Sequence, residues 1–180
     1  MTAALDQARK ALEKGEFPVG CVVVQNDRIL AAGARKGTSP ENPFPGEIEH
    51  AEINCLRKLE KDGTLNRSDP AHLFCTMEPC LMCYGAVILS GIRNIVYAYE
   101  DPMGGGTGCD LTGLPPLYST CGMNITPGIL RKESLELFYD FFTNGRNGYW
   151  KESLLADYTI RRMEKEFHNS EGKVDRQEQH

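Results

Sequence analysis

His50 and Glu52 stand two apart in "EHAEINC", residues 49–55, and Cys80 and Cys83 stand three apart in "EPCLMC", residues 78–83. Residues i and i+3 share a helix face, so the two thiols point the same way if this stretch opens a helix. Pro79 suits the first position of such a helix. Helix starts carry unpaired N–H groups and the positive end of the macrodipole, which favour anions. A thiol placed there has its thiolate form stabilised. Two thiolates at this spacing grip one soft or borderline cation, of which zinc is the usual occupant. His50 lies at the start of a second predicted helix. If the two starts meet, His50, Cys80 and Cys83 supply three ligands of a tetrahedral zinc. The fourth position is left to water, which is the pattern of a catalytic site. Zinc in such a site lowers the pKa of its water to about 7. Glu52 need not be a ligand and can shuttle protons, first as general base and then as general acid.

Other uses of these residues compete. Cys-x-x-Cys alone also serves redox chemistry. A structural zinc with four thiolates would have to recruit Cys109 and Cys121, which lie 12 apart with no second Cys-x-x-Cys. The His-x-Glu partner argues against both. Cys21, Cys55 and Cys75 fall in apolar segments and read as small buried hydrophobes. "GGGTG" at 104–108 lacks the Gly-Lys-Ser/Thr ending of a phosphate-binding loop and reads as a flexible loop. His72 opens a strand and faces solvent.

The elements that must position the four residues follow from periodicity. Residues 2–14 are an amphipathic helix, and "GEFPVG" ends it. "GCVVV" (20–24) and "ILAAG" (29–33) make a hairpin across "QNDR". A Pro-, Gly- and Ser-rich loop spans 34–47, and a helix follows from about 49 to 61. "HLFCTM" (72–77) and "NIVYAY" (94–99) are strands around a helix at 79–89, and 105–125 is irregular. Helices are expected over 128–143 and 150–166. Strands alternating with helices predict an α/β fold, a three-layer α/β/α sandwich whose opening hairpin makes the sheet mixed. With 180 residues the chain suits one domain: 1–168, with a helical extension from about 144, and a frayed tail at 169–180.

Composition sets the class. Apolar residues make up 41% and charged residues 25%, as in ordinary globular proteins. The longest apolar runs are too short to span a bilayer. The N-terminal stretch lacks a continuous apolar region, so the expected location is the cytoplasm, with no membrane partner. Seven cysteines, odd in number and irregular in spacing, suit a reducing compartment.

The motifs His50-Ala51-Glu52 and Pro79-Cys80-Leu81-Met82-Cys83 together resemble the signature of the cytidine-deaminase-like zinc deaminases. "GEFPVGCVVV", "HAEINCLRKL" and "TMEPCLMCYGAVILSGIRNIVYAYEDPMGGGTG" extend the likeness, as do "NITPGIL" and "FYDFF", over about residues 1–143. The long middle stretch is similar to the branch holding tRNA adenosine deaminases, guanine deaminases and fungal-type cytosine deaminases. The resemblance implies a five-stranded sheet flanked by helices, usually in a dimer, and hydrolytic removal of an exocyclic amine as ammonia. It implies one Zn2+ per chain on His50, Cys80 and Cys83, with Glu52 as the catalytic proton carrier. The N–H of Ala51 and the carbonyl of Glu78 would contact the ring and its departing amine.

One position departs from the branch. An Asn that commonly holds the substrate after the second strand is replaced by Arg35 in "AGARKG". Asn42 is a candidate to substitute from the loop. Trp150 either joins the core or lids the pocket from the C-terminal extension, where aromatics could stack on a ring. The net charge is −5, and residues 161–180 carry five Lys or Arg against five Asp or Glu. RNA binding wants a basic surface. The expected substrate is therefore a nucleobase or small nucleoside-like heterocyclic amine, with weak tRNA binding. The alternatives are tRNA adenosine-to-inosine deamination and a non-catalytic zinc-stabilised binding module.

Overall fold

Val22, Val23 and Val24 are stiff at χ1 and pack well on a pleated surface, and they form the middle of strand β1, Gly20–Gln25. Asn26 and Asp27 take positive φ, 51° and 59°, the geometry of a two-residue hairpin turn. The chain returns as β2, Arg28–Ala34. The computed structural model describes residues 1–43 and 45–174. Around the hairpin lie α1 (Thr2–Glu13), α2 (Ala51–Asp62), β3 (Ala71–Met77), α3 (Leu81–Ser90) and β4 (Asn94–Tyr99). They are followed by α4 (Pro116–Ser119), β5 (Asn124–Thr126), α5 (Arg131–Thr143) and α6 (Leu154–Val174).

The sheet order is β2-β1-β3-β4-β5. β1 is antiparallel to both β2 and β3, whereas β3–β4 and β4–β5 are parallel. The sheet is thus mixed and five-stranded, as expected. Helices α1 and α5 pack on the strands from one face, α2 and α3 lie together on the other, and α6 rests on α5. Leu73, Ile95, Val23, Tyr99 and Phe138 are fully buried between the layers. No helix among the described residues is long and apolar enough to cross a membrane.

The structure corrects several boundaries. The stretch read as irregular contains α4 and β5, of four and three residues, too short for periodicity to register. Helix α3 starts at Leu81, two residues after the expected Pro79, because Cys80 is its N-cap. Helix α6 continues to Val174, past the expected end at 166 and into the segment read as a frayed tail. Residues 175–180 of that tail lie outside the described residues.

The far end of β4 is tied to the last two helices by a charged group. Arg131 grips Glu100 with two donors, Nε to Oε2 at 2.7 Å and Nη2 to Oε1 at 2.5 Å, and the Tyr158 hydroxyl donates to Oε1 at 2.6 Å. Burial alone would raise the Glu100 carboxyl, but Arg131 and Tyr158 outweigh it and hold the pKa at about 2. A carboxylate depressed on folding stabilises above its unfolded pKa, and that stability is lost as pH falls through the folded value. Thermal unfolding followed from pH 6 down toward 2 should show a loss that Glu100→Gln removes. The variant should be the less stable of the two at neutral pH, with the gap closing in acid.

Candidate active site

Each motif sits where a strand or loop hands over to a helix. Strand β3 ends at Met77, and Glu78-Pro79 lead to Cys80, the N-cap of α3. The carboxyl ends of parallel strands are where α/β sheets place their ligands. His50 is the N-cap of α2, which puts Ala51 and Glu52 in its first turn. Both caps have extended backbones, and neither makes a side-chain capping hydrogen bond. Histidine and cysteine are not the usual caps. Their side chains turn toward each other instead. His50 Nδ1 lies 3.6 Å from Cys80 Sγ and 3.4 Å from Cys83 Sγ. In a tetrahedral zinc site with ordinary Zn–N and Zn–S bonds the N···S separation is about 3.6 Å. The donor set and its spacing therefore fit one zinc ion, bound through Nδ1 and two sulfurs. All three ligand atoms lie within 4.8 Å of one another, the one such group among the described residues. Cys109 and Cys121 do not join it, and Cys21, Cys55 and Cys75 are buried as expected.

Electrostatics agree with a metal centre. Among the protein groups alone, hydrogen bonds from Cys83 and His50 outweigh burial and hold the Cys80 thiol down at about 4. The same contact with Cys80, added to burial, pushes Cys83 up. Two sulfurs and an imidazole this close want a cation to share. Glu52 is 3% exposed, and burial raises its carboxyl above the usual range, partly offset by His50.

The pocket over these residues is also lined by Phe17, Val19, Arg35, Asp101, Tyr149 and Trp150. Tyr149 and Trp150 stack at 4.9 Å and 15°, and Phe17 meets Trp150 edge-on at 5.8 Å. Trp150 is 37% exposed, so it both touches the core and walls the pocket. Ala51 and Glu78 line the pocket as well. Asn42 does not: its amide lies 3.5 Å from Glu16 Oε1, in a separate hollow. Asn42 thus lines the neighbouring hollow, which shares Arg35 with the zinc pocket. Arg35 itself is 3% exposed, with Nη2 donating to Gly46 O, Glu47 Oε2 and Tyr149 Oη at 3.1, 3.1 and 3.4 Å. Its Nη1 is buried without a partner among the described residues.

The glycine-rich segment is a clamp and not a free loop. The Glu78 carboxylate accepts from Asp101 N at 3.2 Å and from Thr107 N and Oγ1 at 3.3 and 2.5 Å. A Cβ on Gly106 would come 2.5 Å from Leu81 N, so only glycine lets this turn lie on the start of α3. Gly33 plays the same part for the other motif. A Cβ there would meet Ala51 O at 2.2 Å and Cys55 N at 2.5 Å, both backbone atoms of α2. Gly33→Ala should therefore push α2 off the sheet and cost roughly 1–3 kcal/mol, the usual range for overpacking. Zinc affinity should fall with it, because His50 rides on α2. Denaturant titration and zinc competition check both, and an unchanged variant would show that α2 is free to shift.

Comparison with known proteins agrees with this geometry. The family model of the cytidine and deoxycytidylate deaminase zinc-binding region matches residues 1–99. The chain is 33% identical over 142 residues to the tRNA-specific adenosine deaminase of Bacillus subtilis (strain 168), covering 79% of this chain and 86% of that one. A tRNA:A34 deaminase, solved in studies of A-to-I editing at the wobble position, aligns with TM-score 0.58 and 30% identity, covering 76% of this chain and 96% of that chain. The guanine deaminase of Nitrosomonas europaea aligns with TM-score 0.62 and 25% identity over 78% and 81% of the two chains. With its His-Cys-Cys zinc site and buried glutamate, the chain belongs to the cytidine and deoxycytidylate deaminase family of zinc-dependent hydrolytic deaminases.

Proposed function

We propose that this deaminase acts on adenosine in tRNA, replacing the exocyclic amine with oxygen to give inosine and ammonia. The observation that carries the reading is the likeness, over most of both chains, to tRNA-specific adenosine deaminases. It weighs more than the net charge, which favoured a small heterocycle.

In this reading Glu52 is the catalytic residue that moves protons. It takes one proton from water and passes it to the ring nitrogen, then takes a second from the hydroxyl that has added to the ring carbon and delivers it to the departing amine. A zinc ion on His50, Cys80 and Cys83 supplies the Lewis acidity that makes water nucleophilic near neutral pH. The Ala51 N–H, without an intrahelical partner by its position, and the Glu78 carbonyl orient the ring. Trp150 and Tyr149 give it a stacking wall. The thiolate ligands and the substrate both suit the cytoplasm. A homodimer belongs to the same proposal, because Leu81 and Leu89 on α3 and Leu117 on α4 are 64%, 59% and 58% exposed.

A free-base substrate is the second reading, favoured by the aromatic wall over the pocket and by the likeness to a guanine deaminase. One experiment separates them. Anticodon stem-loop RNA is incubated with the zinc-loaded protein and sequenced for inosine, beside ammonia assays on guanine, cytosine and adenine. Inosine in the RNA is the expected result. Ammonia from a free base with no inosine would replace the first reading with the second.

A further inference from the structure

A second hollow adjoins the zinc pocket and shares Arg35 with it. It lies between α1, the segment after β2, and α2. Its lining includes Lys10, Lys14, Arg35, Lys36, Arg57 and Lys58, and the one acid in that lining is Glu16. Glu16 is 7% exposed and turned inward, where its carboxylate accepts from the N–H groups of Gly37, Thr38 and Ser39 and from the Thr38 hydroxyl. Arg57 pairs with Glu49 at 2.5 Å, and Lys58 Nζ donates to Ala32 O at 2.6 Å. Lys10, Lys14 and Lys36 are exposed and form no ion pair among the described residues. A chain of net charge −5 thus concentrates cations on one concave face beside its reacting centre.

We propose that this hollow seats the phosphate backbone of the RNA whose base enters the zinc pocket. Arg35 lines both hollows and so stands at their junction. The inference rests on the tRNA reading and names the surface that reading needs. The occupant is a polyanion because the exposed lysines face solvent without carboxylates to neutralise them. Lysine binds phosphate as a mobile point charge, and several at once release several counterions. An acidic protein segment would meet the same charges. It would lack the coupling to a base at zinc.

The test is a salt titration of anticodon stem-loop RNA binding by fluorescence anisotropy, using the zinc-loaded 180-residue chain. The wild type is compared with the triple variant Lys10→Gln, Lys14→Gln, Lys36→Gln and with the corresponding Glu variant. Lys132→Glu, on α5, controls for charge alone. The Gln variant should weaken binding roughly tenfold or more and flatten the log–log salt slope by about 0.7–0.9 per lysine that met a phosphate. The Glu variant should weaken it further, with zinc content and thermal midpoint retained in both. If the wild type edits the RNA and the Gln variant binds as the wild type does, the hollow is not the RNA surface, although the tRNA reading stands. An equal loss in Lys132→Glu also overturns the placement. If the wild type binds no RNA at low salt, the hollow and the tRNA reading fall together.

Discussion

Glu52→Gln is expected to lower kcat for deamination by at least ~10²-fold, the low end for a lost general acid–base. The amide is nearly isosteric with the carboxylate and fills the same buried place, but it cannot carry a proton from water to the ring. Two features make the variant informative. Glu52 is not one of the three residues whose donor atoms converge for a metal, so zinc content should be retained. Its carboxyl is raised by burial, so replacing it with a neutral amide removes a desolvation cost, and the fold should not weaken. The measurement is single-turnover inosine formation in stem-loop RNA, beside elemental analysis. A variant that keeps zinc and turns over at the wild-type rate would reduce Glu52 to a structural residue.

The chemistry of this site is legible in the sequence because its signal is local. His50 and Glu52 fall within one helical turn, as do Cys80 and Cys83, and the residue types restrict the metal. The hairpin was legible for the same reason, since three consecutive valines flank a two-residue turn. What stayed hidden depends on contacts between distant segments. Arg35 reaches Tyr149 across 114 positions, and Glu78 holds Thr107 across 29. Gly33 looks like any strand glycine until the backbone of α2 is laid against it. The glycine-rich loop looks free until Glu78 clamps it. Net charge is the weakest guide to a binding surface. An average over 180 residues cannot see that the fold turns Glu16 inward and leaves three lysines facing out. The sign of a surface is a property of the folded chain and not of its average composition.

The same geometry makes Cys83→Ala the other large effect. Cys83 is fully buried and its sulfur is the one nearest His50 Nδ1, at 3.4 Å. Replacing it leaves one thiolate and one imidazole, and alanine brings no donor. Zinc affinity should fall by more than the ~10–100-fold seen when only an outer hydrogen bond to a ligand is lost. Deamination should disappear with it. Stability should fall too, because metal binding and folding are coupled when ligands come from separate elements. Here the ligands come from the starts of α2 and α3, whose caps make no side-chain capping hydrogen bonds, so a bound zinc would add a link between the two helix starts. Cys109→Ala is the matched control, because Cys109 is exposed and lies outside the ligand group. Zinc retention under a chelator and the thermal midpoint of the two variants decide the matter. Cys83→Ala should lose metal under conditions that leave Cys109→Ala loaded, and it should melt earlier by a margin that added chelator reproduces in the wild type. Full zinc in Cys83→Ala would mean that the sulfur is not a ligand and that the tetrahedral fit of the three donors is coincidental.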